Sequence, residues 1–135
     1  MREQTTFFPD PGPSLDAATH ALFISLCTQH TPAQVDRLRV EVNTHLGHIR
    51  EVQSRNEFLD VDLAELLARG LNRLLAQYEQ YGDDQQRLIV GAARYFVHAD
   101  DSENDMESIL GLDDDVQVLN HVLSRLGEPQ HRIEL

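Results

Sequence analysis

The residues best placed to do chemistry lie between Tyr95 and Asp115, in the run Y-F-V-H-A-D-D-S-E-N-D-M-E-S-I-L-G-L-D-D-D. Asp101 and Asp105 are four residues apart, so on a continuous helix their carboxylates would share one face. Gly111 permits a tight or left-handed connection that could fold Asp113, Asp114 and Asp115 back towards them. Carboxylates gathered at such a corner repel one another. A hard cation such as Mg²⁺, Mn²⁺ or Ca²⁺ relieves that repulsion through its oxygen ligands. His98, three residues before Asp101, would add a nitrogen donor. With Asp101, Asp105, Asp114 and Asp115 holding the ion, a bound water could be activated near neutral pH, as in a divalent-cation-dependent phosphoester hydrolase.

The same aspartates have a plainer use as helix caps. Asp101 at the start of a short helix, and Asp113 or Asp114 at the start of the last one, would each contribute about 1 kcal/mol. Further aspartates in a first turn complement the helix macrodipole. Arg94, one helical turn before His98, is placed to pair with one of them. An EF-hand is excluded: counted from Asp101, Met106 stands where glycine is required and Leu112 where a bidentate Glu is required.

The spacing of Tyr95, Phe96, Asp101, Asp105, Gly111, Asp114 and Asp115 resembles the signature of the bacterial YkvA-like domain, a small helical domain of unknown function. That signature reads Y-F-x-S-P-x-D-x-x-P-D-x-x-P-x-x-G-x-x-D-D, and the likeness covers roughly residues 88–123. It implies an all-helical domain with a shared role at Asp101, Asp105, Asp114 and Asp115. The family's prolines are replaced here by Ala99, Asn104 and Ser108. Its apolar residues between the aspartates are replaced by Ser102, Glu103, Met106 and Glu107, which argues against a membrane role for this segment.

Other candidate groups are sparse. Glu41, His45 and His48 are spaced to share a helix face, but His45 also occupies an apolar seam, where a core histidine is the commoner outcome. His98 and His121 could meet if the last two long helices pack antiparallel. Cys27 is the single cysteine, so no intrachain disulfide exists, and its apolar neighbours Phe23, Ile24 and Leu26 favour a buried, inert thiol. Neither a phosphate-binding glycine loop, nor a nucleophile elbow, nor a zinc-protease H-E-x-x-H motif occurs.

Composition narrows the partners. The net charge is −12, from 23 acids against 11 arginines, with no lysine. A nucleic-acid binder needs a basic face to neutralise phosphates, and this balance excludes a large one. It equally disfavours an anionic membrane surface. No apolar run approaches the ~20 residues that span a bilayer, and the start lacks a signal-peptide core, so the expected location is the cytoplasm.

These groups must be positioned by helices. Residues 1–13, with Pro9, Pro11, Gly12 and Pro13, read as a flexible leader, and residues 14–127 as one helical domain. Ser14 is the expected first N-cap, with Leu15, Ala18, Leu22 and Leu26 inward. Thr31-Pro32 restarts the chain as a capped helix. Val35, Leu38, Val42, His45, Ile49 and Val52 then recur as a heptad seam. Leu63, Leu66, Leu67, Leu71, Leu74, Leu75 and Tyr78 form a wide stripe that includes Gly70. A fourth helix carries Leu88, Ile89, Ala92, Ala93, Phe96 and Val97. A short helix follows near 102–110, and a last one starts near Asp113 with Val116, Leu119, Val122, Leu123 and Leu126 inward. Residues 128–135 form a tail whose order depends on Ile133 and Leu135 finding a surface. The expected architecture is an all-α, single-domain bundle of five or six helices.

The expected function is protein–protein interaction or self-association, on the strength of the heptad seam and the acidic surface. Cation-dependent hydrolysis through the aspartates is the alternative. A third reading is an acidic decoy that mimics nucleic acid.

Overall fold

The computed structural model describes residues 15–53, 61–98 and 105–133, the backbone alone being described at 52–53, 105–111 and 113. Among these residues there are five α-helices and no strand, in one all-α bundle. They are α1 (Ala17–Leu26), α2 (Pro32–Gln53), α3 (Val61–Ala76), α4 (Asp83–His98) and α5 (Asp105–Arg125). Short 3-10 turns follow α3 (Tyr78–Gln80) and α5 (Pro129–His131).

The helix starts show how local chemistry sets the boundaries. The cap of α1 is Asp16 rather than Ser14, which lies outside the described residues. Asp16 Oδ1 accepts the Thr19 amide at 2.8 Å, the bond that an N-cap makes to the third helical residue. Thr31 and Gln34 form a reciprocal capping box. The Gln34 amide donates to Thr31 Oγ1 at 3.2 Å, and the Thr31 amide donates to Gln34 Oε1 at 2.8 Å. Pro32 then occupies the first helical position, where its missing N–H costs nothing.

At the centre lies α4, in contact with every other helix. A central helix must be apolar almost all round and slim enough for its neighbours to approach. The run Ile89, Val90, Gly91, Ala92, Ala93 meets both demands and is buried throughout. Gly91 is where α1 comes closest: a Cβ there would lie 2.9 Å from Phe23 Cε1 and closer still to Cys27 Sγ. Small residues at this crossing are therefore a packing requirement, whatever glycine costs in helix propensity.

The seam on α2 is used inside the chain. Val35, Leu38, Val42, His45 and Ile49 are all buried, and α2 packs against α3 and α4, while the side chain of Val52, the last residue of the expected seam, lies outside the described residues. On α1 the inward residues are Thr19, Phe23 and Leu26, while Ala18 is exposed and Leu22 half-buried. The face is turned so that the Phe23 ring, the largest apolar group on the helix, is fully covered. The leucines of the stripe on α3 are buried except for Leu66, which is 44% exposed.

Tyr78 fastens the connection between α1 and α2. Its hydroxyl accepts the His30 amide at 2.7 Å and donates to the His30 carbonyl at 3.0 Å, satisfying both polar groups of one buried-edge peptide segment.

Candidate functional site

The chain does not turn at Gly111. Residues 105–125 form a single helix that passes through Gly111 and Asp113 without interruption. Asp113 therefore lies in the helix interior, eight residues past its first residue, and neither it nor Asp114 caps α5. The physical reason is a stripe running across the expected break. Leu112, Val116, Leu119, Leu123 and Leu126 recur at 4-3-4-3 spacing, and all are buried.

Helix continuity also separates the proposed ligands. Asp105 precedes Asp114 and Asp115 by nine and ten residues, which at 1.5 Å per residue puts their backbones ~13–15 Å apart along the axis. Oxygen ligands sit ~2.0–2.6 Å from a hard cation, so α5 does not bring Asp105 onto one ion with the other two. Asp101 lies outside the described residues. His98 is exposed in the last turn of α4. Among the described residues, no three His, Cys, Asp or Glu side chains come together to hold a metal.

Asp115 instead points inward, 4% exposed, with Oδ1 making no hydrogen bond among the described residues. Burial, and then the neighbouring Asp114 charge, push its pKa well above the usual carboxylate range. Tyr95 on α4 shares this environment. Burial raises its pKa against a hydrogen bond from Thr19 that lowers it, with Asp114, Asp115 and Asp16 adding to the rise. Asp16 is shifted the other way, its carboxylate favoured by the hydrogen bond from the Thr19 backbone. Arg94 is turned towards a different element. Its Nη1 donates to the Leu26 carbonyl at 3.0 Å, at the C-terminal end of α1, where a cation complements the macrodipole.

The histidines and the cysteine are likewise structural in their surroundings. His45 is buried with its ring edge-to-face against Phe96, centroids 4.7 Å apart, whereas His48 and Glu41 are exposed. His121 packs edge-to-face on Phe23 at 5.9 Å. Burial lowers its pKa, with Arg125 and His20 contributing. His98 lies beside the six-residue connection from α4 to α5, while His121 is sixteen residues into α5, so the two do not come level. The Cys27 thiol donates to the Phe23 carbonyl at 3.3 Å, and burial holds its pKa up to about 11. It stays a protonated thiol at neutral pH.

A different feature is assembled from three separated segments. The chain leaves α5 through Gly127, whose φ of 79° is the left-handed conformation that a side chain disfavours. The Glu128 amide donates to the Leu123 carbonyl at 2.8 Å, and the Gly127 amide to the Ser124 carbonyl at 3.1 Å, the paired bonds of a Schellman end. Glu128 is then held from both sides. Tyr81 donates to its Oε2 at 2.6 Å, and Arg73 Nη1 lies 3.2 Å from Oε1. Burial and the Glu128 bond push the Tyr81 phenol up to about 12. Asn120, itself buried, finishes the anchorage by donating to the Ile133 carbonyl at 2.8 Å and accepting the Ile133 amide at 2.8 Å.

This anchored tail forms one wall of an open groove of about 320 Å³. The other wall is α3, with Leu66, Arg69 and Arg73, and the floor is Leu119 and Leu123 of α5. Gly70 keeps the trough open: a Cβ there would approach Leu119 Cδ2 to 3.2 Å. Ile133, His131 and Arg132 complete the lining, which among the described residues holds three arginines and no carboxylate. Three other clefts lined by described residues each include at least one acid: Asp36 and Glu79, Asp83 and Asp84, and Glu41. The sequence held two traces of the groove, Gly70 on an otherwise leucine-rich stripe and the apolar Ile133 in a polar tail. Nothing in it placed them side by side.

Comparison of the chain with protein-family models, with curated proteins and with solved structures finds no match in any of the three.

Proposed function

We propose that this chain is a protein-interaction module that receives an apolar side chain of another protein in the groove between α3, α5 and the tail. The observation that carries this reading is the exposed Leu66 above a floor of Leu119 and Leu123, walled by a tail that Asn120 and Glu128 fix in place. A concave, largely apolar trough with a few polar groups on its rim is the usual form of a binding site. Fixing the wall beforehand reduces the ordering cost that binding would otherwise incur. The burial of the α2 seam directs the reading towards a partner protein rather than a second copy of this chain.

Site-specific photo-crosslinking in cell lysate tests this. A crosslinker replacing Leu66 should give a discrete adduct that one replacing Val40, which is 63% exposed and outside the groove lining, does not. Equal yields at the two positions, or none at Leu66, would overturn the proposal.

A further inference from the structure

We infer that the groove's occupant is a short acidic, amphipathic segment of a partner protein, with an apolar anchor flanked by carboxylates. This rests on the interaction reading above and names the chemistry of the partner. Arg69 stands on one wall and Arg132 on the other, both exposed and neither in an ion pair among the described residues. Arg73 contributes less, because Glu128 already neutralises it at 3.2 Å. In a chain with 23 acids and 11 arginines, a lining with cations on both sides and no carboxylate among the described residues departs from the three other clefts, each of which includes an acid.

The range of the charges selects the kind of anion. The Debye length at physiological ionic strength is about 8 Å, so a ligand seated in the groove responds to Arg69 and Arg132 more than to distant acids. A long polyanion or an anionic bilayer would extend past the groove and meet the field of a −12 chain. A peptide with two or three carboxylates around an apolar side chain fits both the floor and the rim. Its apolar anchor would cover Leu66, Leu119 and Leu123, while its carboxylates approach the guanidinium groups, whose planar forks suit bidentate pairing.

Fluorescence anisotropy with fluorescein-labelled synthetic 14-residue peptides would test it. The probe carries two leucines four residues apart among glutamates, and its matched controls carry glutamine or lysine in place of glutamate. The glutamate peptide should bind the full chain about five- to tenfold more tightly than the glutamine peptide, as expected for two exposed ion pairs. That preference should vanish in the Arg69→Glu/Arg132→Glu double variant and shrink in 300 mM salt, and the lysine peptide should bind least. The Arg69→Gln/Arg132→Gln variant, checked for an unchanged melting temperature, should lose the preference without charge reversal. Equal binding of the glutamate and glutamine peptides would overturn this inference and leave the Leu66 crosslink standing. Loss of that crosslink would instead remove the underlying reading. Light scattering that shows a dimer of the parent chain, converted to monomer by the double variant, would also overturn the inference, because the occupant would then be a second copy.

Discussion

The aspartate run and the tail groove differ in how visible they are and in what the fold makes of them. The run is conspicuous in the sequence, with acids at spacings that suggest convergence, yet from Asp105 onward α5 continues without a break and lays Asp105, Asp113, Asp114 and Asp115 out along an axis. The groove leaves little trace in the sequence, since its residues come from 66–73, 119–123 and 131–133, but the fold places them around one trough. Convergence therefore depends on where the backbone turns, and here it turns at Gly127 rather than Gly111. In the run, Asp115 points inward and loses solvation. In the groove, the inward polar group, Asn120, has both its amide atoms bonded and so fixes a wall.

The contrast is broken most severely by removing that wall. Asn120→Ala deletes two part-buried hydrogen bonds to Ile133, and a net loss of about 1–3 kcal/mol is expected. Thermal unfolding should show a drop of several degrees, and the Ile133 amide should exchange faster with deuterium. An unchanged melting temperature with full protection at Ile133 would mean that the groove wall does not depend on Asn120.

A smaller, pH-dependent effect is expected at Asp115. Its folded pKa is raised by burial and by Asp114, so the folded chain holds this proton more tightly than the unfolded chain does. Stability from this group is present below the unfolded pKa near 3.8 and is lost as pH rises through the folded value. Asp115→Asn cannot ionise, so its melting temperature relative to the parent should rise between pH 4 and pH 8. A constant difference between the two proteins across that range would show that the carboxyl stays ionised in the fold.

The smallest effect sharpens the comparison at the other end. Asp113→Ala removes an acid from a helix interior, where alanine is the better helix former, so stability should be unchanged or rise by up to about 0.5 kcal/mol. Urea unfolding would detect a cap instead as a loss of about 1 kcal/mol, which would place a helix start at this position.

The sequence by itself determined the helical class and most of the inward faces, because these follow from apolar spacing within a few turns. Leu63, Leu67, Leu71, Leu74 and Leu75 on α3 are buried as their period requires, and the Thr31-Pro32 start carries its own capping chemistry. The continuity of α5 was within reach too. Leu112 begins the stripe that ends at Leu126, but the aspartates and Gly111 gave an equally local argument for a break. Packing of that stripe on α3 and α4 decided between them. Only the tertiary structure could bring Ile133 to Asn120, Glu128 to Arg73 and Tyr81, Arg94 to Leu26, and Gly91 against Cys27. These pairs are 13 to 68 residues apart, too far for helical periodicity or capping rules to act between them. Their placement came from burying the helix faces together, which set the register that the polar groups then satisfied.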